Sequence, residues 1–177
     1  FMKFTEVNPF SLKIKKKINK SVLNTIKKED FILGENVNKF EKEFSILSNS
    51  KYSVGCASGT DALILALKSL NLKKNHEIII PGMSYISTGL CVALNNNKIV
   101  FADIDEDTGL ISFKSIIKKL SKKTKVIIPV NLYGQRVDIK ELRKIVGKKV
   151  FIIEDSAQSH FSSFCRNCKK KNHYSCF

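Results

Sequence analysis

The chain reads as an α/β protein: a mostly parallel sheet with helices on both faces. From residue 52 onward, short Ile/Val-rich runs alternate with helical patterns across short connections, which is the signature of βαβ units. The strand runs carry Ile and Val without polar alternation, as strands do when both faces are covered. No internal repeat or low-complexity linker interrupts the alternation.

The elements follow in order. Leu12, Ile14, Ile18, Val22, Leu23 and Ile26 give residues 10–28 the spacing of an amphipathic helix. Val37, Phe40, Phe44 and Leu47 repeat it over 36–47. The character then changes, so residues 1–50 form an N-terminal helical segment and 51–177 the α/β domain. Residues 52–56 are a short strand candidate, and 60–70 a strong helix with Leu63, Ala66, Leu67 and Leu70 on one face. A strand over 77–80 is ended by Pro81-Gly82; a helix over 84–94 is weakened by Gly89. A strand over 99–102 leads into an acidic turn, 103–107, and a helix over 113–120. Strands over 126–130 and 150–153 flank a helix over 139–146.

Composition narrows the function. A formal net charge of +15 invites a nucleic-acid reading, but the only arginines are Arg136, Arg143 and Arg166. Lysines such as Lys15, Lys27, Lys68, Lys118 and Lys140 are spread along helix faces, whereas nucleic-acid binding needs clustered charge. No apolar stretch approaches the roughly 20 residues of a membrane span, and no secretory signal is seen. Cys56 and Cys91 fall in apolar segments and the other three cysteines crowd the tail, which favours a reduced, cytoplasmic protein.

The last strand run, 150–153, reads as buried on both faces and ends in Glu154-Asp155 before the polar cluster Ser156-Ala157-Gln158-Ser159-His160. In open α/β sheets, ligands bind beyond the carboxyl ends of the strands. The turn Gly55-Cys56-Ala57-Ser58-Gly59-Thr60 joins a strand candidate to a helix, and its small residues and helix-start N–H groups suit an anion. It is neither a Walker loop nor GxGxxG. Each feature has a plainer reading. The turn could be a simple N-cap with Thr60 bonding the first turn. Asp155 could be a cap or a surface ion partner, Tyr85 a rim aromatic, and His160 a structural hydrogen-bonding residue. The acidic turn lacks EF-hand spacing, so it reads as solvated. Together the features put a phosphate cradle, an aromatic ring and a carboxylate after three strands of one sheet. Pyridoxal 5′-phosphate (PLP), a planar phosphorylated cofactor with a basic ring nitrogen, would use all three.

Four ordered motifs sharpen this: Ser58-Gly59-Thr60-Asp61-Ala62-Leu63, Pro81-Gly82-Met83-Ser84-Tyr85, Pro129-Val130-Asn131-Leu132-Tyr133-Gly134-Gln135 and Glu154 through His160. They resemble the DegT/DnrJ/EryC1/StrS family of PLP-dependent sugar aminotransferases, and the resemblance covers nearly all of 8–160. It implies a type I aminotransferase large domain. Gly59 and Thr60 would hold the cofactor phosphate, Tyr85 would stack on its ring, Asp155 would pair with the ring nitrogen, and Gln158 would lie near the phenolic oxygen. It implies homodimers with active sites built from both subunits. The implied reaction moves an amino group, commonly from glutamate, onto a keto group of a nucleotide-linked sugar. Some members are dehydratases instead.

Two departures follow from the same resemblance. Asn75-His76-Glu77 stands where the family commonly has Gly-Asp-Glu. The family's Schiff-base lysine, in a segment similar to Ser-Phe-x-x-x-Lys, is expected beyond Phe177, with His173–Phe177 resembling the residues just ahead of it. No catalytic residue is therefore expected within the chain, since the neighbouring Lys169, Lys170 and Lys171 read as solvated. The expectation is an incomplete large domain without the small C-terminal domain. These 177 residues are then expected to be inactive and, with an uncovered sheet edge, poorly soluble. The alternative is a non-catalytic or decayed remnant of the fold. Cys165, Cys168, His173 and Cys176 could close a zinc site. The plainer reading is a variable loop, and no metal is expected.

Overall fold

The computed structural model describes residues 10–162. The chain divides into two compact units that part between Gly55 and Cys56.

The first unit holds α1 (Leu12–Lys28) and α2 (Glu35–Leu47). Ser11 caps α1 by accepting from the Ile14 N–H at 3.4 Å, and Lys27 and Lys28 complement the dipole of its last turn. The Asp30 carboxylate caps α2 by accepting from the Glu35 N–H at 2.8 Å. A Cβ at Gly34 would collide with the Asp30 carboxylate, so a side chain there would have to displace this cap. Asn36 Nδ2 donates to Thr25 Oγ1 at 2.9 Å and ties the two helices. No residue of either helix is buried: the α1 stripe is exposed, while in α2 Val37 and Phe44 are half-buried and Phe40 and Leu47 exposed. The strand expected over 52–56 is not formed. No described strand pairs with the segment, and Tyr52 and Val54 stay exposed. Without a ladder, side chains meet part of its backbone: the Gly55 N–H donates to Glu41 Oε1 at 2.6 Å, and the Tyr52 carbonyl accepts from the Ser50 hydroxyl at 3.0 Å.

The second unit runs α3 (Gly59–Ser69), β1 (Glu77–Pro81), α4 (Ile86–Leu94), β2 (Lys98–Ala102), α5 (Phe113–Lys119), β3 (Thr124–Ile127), α6 (Ile139–Val146) and β4 (Phe151–Ile152). A 3₁₀ turn, Leu132–Gly134, follows β3. The four strands are parallel and ordered β2-β1-β3-β4. Helices cover both faces, as the unbroken Ile/Val runs predict. One core joins Ile79, Ile127, Ile116 and Leu142, between the sheet and α5 and α6. The other joins Ile78, Ile80, Val126 and Ile128 to Leu63, Leu67, Cys91 and Val92 of α3 and α4. The pleat sorts neighbours: Ile79 faces one core and Ile78 and Ile80 the other.

Two predicted strands are shorter than expected, for physical reasons. β3 stops at Ile127 because Pro129 has no N–H for the ladder. Pairing resumes in the bridge between Val130 and Asp155, where the Asp155 N–H reaches the Pro129 carbonyl at 3.0 Å. β4 was expected to be buried on both faces, yet Phe151 is 48% exposed, because β4 is the edge of the described sheet. Helix α4 begins at Ile86 rather than Ser84, with Tyr85 extended as its N-cap. In the acidic turn, Asp105 Oδ1 accepts from the Thr108 N–H and hydroxyl at 3.1 and 3.0 Å.

Candidate cofactor cradle

The chain leaves β1 toward β2 on one side and later returns to β3 on the other. The crevice beyond the carboxyl ends of β1 and β3 is thus a topological switch point, where α/β sheets bind ligands. Three sequence-predicted segments converge on this edge: the start of α3, the loop after β1, and the residues after β4.

At α3, Ser58 is the cap, correcting the plainer reading that assigned this role to Thr60. Ser58 Oγ accepts from the Asp61 N–H at 3.2 Å and donates to Asp61 Oδ2 at 2.9 Å. The Thr60 hydroxyl instead meets the Ser87 hydroxyl of α4 at 2.6 Å. Among the described residues, no acceptor meets the N–H groups of Gly59 and Thr60. A Cβ added at Gly59 would touch nothing within 4 Å, so space lies open beside the start of the helix. Two unanswered N–H groups at the positive end of an eleven-residue helix fit an anion such as a phosphate.

After β4, the pleat separates the two carboxylates. Ile152 packs on the α5/α6 core and Ile153 on the α3/α4 core. Continuing that alternation sends Glu154 to the first side and Asp155 to the second. Glu154 Oε1 accepts from Asn131 Nδ2 at 2.7 Å and from Arg136 Nη2 at 2.9 Å. Asn131 is fully buried, and its Oδ1 accepts from the Val137 N–H at 2.8 Å. Glu154 is thereby committed to structure. Asp155 faces α4: burial, and then the Asp155 charge, push the Cys91 thiol up to about 11. Asp155 Oδ1 accepts from the Ala157 N–H at 3.1 Å, and the residue is only partly buried. It keeps acceptor capacity toward the crevice.

Gln158 is oriented by the 3₁₀ turn. Its Oε1 accepts from the Tyr133 N–H at 3.0 Å, and its carbonyl accepts from the Gly134 N–H at 3.1 Å. Tyr133 adopts the left-handed conformation (φ 54°), which aims both N–H groups at Gln158. With Oε1 engaged, Nε2 is the end of the amide that can donate elsewhere. Tyr85 is 76% exposed at the start of α4 and borders a groove of ≈ 350 Å³ with Pro81, Ile86, Leu90 and Phe101. No described hydrogen bond joins Tyr85 to Thr60 or Asp155. The His160 ring lies 6.4 Å from that of Phe161. Cys165, Cys168, His173 and Cys176, the lysines 169–171 and the segment 173–177 lie outside the described residues.

Sequence reasoning missed Ser87, which links α3 to α4, and the Asn131–Glu154–Arg136 network. The only sequence signal for Ser87 is a small polar residue on the buried face of a helix.

A parallel α/β sheet with an anion-ready helix start and a carboxylate at its switch-point edge defines a fold for a phosphorylated cofactor. The chain belongs to the DegT/DnrJ/EryC1/StrS aminotransferase family, whose model matches residues 12–170. A UDP-2-acetamido-2-deoxy-3-oxo-D-glucuronate aminotransferase of Pseudomonas aeruginosa is 34% identical over 164 residues, covering 92% of this chain and 46% of the relative. A GDP-4-keto-6-deoxy-D-mannose 3-dehydratase of Escherichia coli O55:H7 is 31% identical, covering 84% and 40%. The solved GDP-4-keto-6-deoxymannose-3-dehydratase with a trapped PLP-glutamate geminal diamine superposes with a TM-score of 0.81 at 30% identity, covering 91% of this chain and 42% of that one. The chain thus spans less than half the length of these relatives. The family is PLP-dependent, and its fold neighbours have been solved with PLP bound. Among the described residues, no helix is long and apolar enough to cross a membrane.

Proposed function

We propose that this chain supplies the cofactor-binding part of a PLP-dependent enzyme acting on a nucleotide-linked sugar. Residues 51–177 act as part of the large domain, led in by the helical segment 1–50. The N–H groups of Gly59 and Thr60 and the Thr60 hydroxyl hold the phosphate. The Tyr85 ring provides a face for stacking, and Gln158 Nε2 donates to the phenolic oxygen. Asp155 holds the proton on the ring nitrogen. The observation that carries the reading is the pleat after β4, which ties Glu154 into structure and turns Asp155 to the α3/α4 side.

When bound, the protonated ring supplies an electron sink for charge developing beside the transferred nitrogen. The reaction is transfer of an amino group from an amino-acid donor, glutamate, to a keto carbon of the sugar, in a homodimer. This reading assigns no catalytic amine to the described residues and, following the family resemblance, puts the Schiff-base lysine past Phe177. Loss of a sugar hydroxyl is the second reading, supported by the 3-dehydratase among the relatives.

Titration with pyridoxamine 5′-phosphate, which needs no lysine to bind, tests the cradle. Saturable binding that weakens at least about tenfold in Asp155→Ala is expected, matching loss of a hydrogen bond to a charged group. Equal binding by the variant overturns the role of Asp155. Incubating the full-length protein with glutamate and UDP-, dTDP- or GDP-linked keto-sugars separates the two reactions. Aminotransfer leaves nitrogen on the sugar, and dehydration leaves a deoxy sugar without it.

A further inference from the structure

Helix α4 buries four residues, Ser87, Thr88, Cys91 and Val92. Three have an evident task. Ser87 meets Thr60, Val92 packs in the α3/α4 core, and the Cys91 thiol donates to the Thr88 carbonyl at 3.2 Å. Thr88 is different. It is 1% exposed, and its hydroxyl has no hydrogen-bond partner among the described residues. A valine would fill the same volume without stranding a polar atom, so a buried, unanswered hydroxyl needs a reason.

Its position supplies one. In a βαβ unit the crossover helix runs antiparallel to the strands, so its first turn lies at their carboxyl edge. Thr88 is in that first turn, one turn nearer the edge than Cys91 and Val92. Cys91 and Val92 share a core with Ile153, and Asp155 follows Ile153 on the same side of the pleat. Thr88 and Asp155 are therefore the polar groups that α4 and β4 bring to one level of one face. Asp155 has one oxygen engaged, by the Ala157 N–H, and the Thr88 hydroxyl has no partner among the described residues.

Resting on the cofactor reading above, we infer that Thr88 is a positioning residue for Asp155. When a cationic ring nitrogen occupies the crevice, the Thr88 hydroxyl donates to the Asp155 carboxylate and fixes its plane against the ring.

A double-mutant cycle tests this, with pyridoxamine 5′-phosphate as probe and binding and ligand-free thermal unfolding as readouts. Thr88→Val is expected to weaken binding about tenfold, the loss typical of a hydrogen bond to a charged group. Thr88→Ser is expected to restore it to within about threefold. In an Asp155→Asn background the valine substitution is expected to have little further effect, because the partner's charge is gone. Ligand-free Thr88→Val should melt no lower than the wild-type protein, since the hydroxyl it removes is unanswered there. Unchanged binding in Thr88→Val, or equal losses in both backgrounds, overturns the inference. A melting temperature lowered by several degrees also overturns it, by showing a purely structural residue. Failure of the wild-type protein to bind the probe defeats the cofactor reading and this inference together. Binding by the wild type with an indifferent valine variant defeats this inference alone.

Discussion

The hydroxyl oxygens of Thr60 and Ser87 lie 2.6 Å apart and join the first turn of α3 to the first turn of α4. Twenty-seven positions separate them in sequence. The contact sets the first turn of α3, whose Gly59 and Thr60 N–H groups meet no acceptor among the described residues, beside the helix that faces Asp155. Replacing Ser87 with Ala leaves Thr60 without this partner. A stability loss of about 1 kcal/mol is expected in urea unfolding. Thr60→Val should in addition weaken pyridoxamine 5′-phosphate more than unphosphorylated pyridoxamine, if its hydroxyl serves the phosphate. Equal weakening of both ligands would count against that role.

Gly59 separates folding from binding. Its added Cβ meets nothing within 4 Å, and alanine favours the helix, so Gly59→Ala should hold or raise stability by up to about 1 kcal/mol. The same methyl group would enter the open space beside the helix start, next to where the phosphate is proposed to sit. Cofactor binding is expected to fall at least about tenfold, the size of one lost charge-assisted hydrogen bond. Calorimetric unfolding and ligand titration of the same sample check both halves. Unaltered binding would show that the phosphate approaches elsewhere.

Asn131 holds the other side of the edge. It is fully buried and bonds Glu154, Ser156 and the Val137 N–H at 2.7, 3.0 and 2.8 Å. Asn131→Ala strands a buried N–H and removes a donor to Glu154, and should destabilise by roughly 2–4 kcal/mol. Asn131→Asp should also be destabilising, because it sets a second carboxylate against Glu154. Denaturant midpoints measured at neutral pH compare the two.

Cys91 gives a pH signature. Its thiol is pushed up to about 11 from an ordinary value of 9.0, by burial first and by Asp155 second. Between these values the unfolded thiol has lost its proton while the folded one keeps it. Stability contributed by the thiol is whole below about 9 and declines toward about 11. The slope is at most about 1.4 kcal/mol per pH unit. Cys91→Ala should flatten this decline, as followed by urea midpoints across the window. In the folded protein, peptide mapping after alkylation should find the exposed Cys56 modified before the buried Cys91.

Much of this could be read from residue order. The Ile/Val runs at 78–80 and 126–128 lack polar alternation because both sheet faces are covered, and the structure gives each face its own core. The small-residue turn at 55–60 announces a helix start, and the α3 cap lies where it points. The segment 52–56 failed as a strand because strand propensity is local, whereas a ladder needs a neighbour. The exposed Phe151 shows the same limit, since being an edge depends on which strands stand alongside.

The sequence by itself determined the class. Patterned apolar runs, a small-residue helix start and two carboxylates after a strand specify a parallel α/β sheet with a helix start and two carboxylates at its carboxyl edge. Local hydrogen bonding and hydrophobic period act over a few residues, so they are written in order along the chain. Only the tertiary structure decided which neighbours each carboxylate meets. Glu154 and Asp155 are adjacent and chemically alike. The pleat sends one to Asn131 and Arg136 and the other toward Cys91. That division depends on which core Ile152 and Ile153 enter, and so on helices far away in sequence. The same is true of the hydroxyl pair of Thr60 and Ser87, which exists only because α3 and α4 share one face of the sheet.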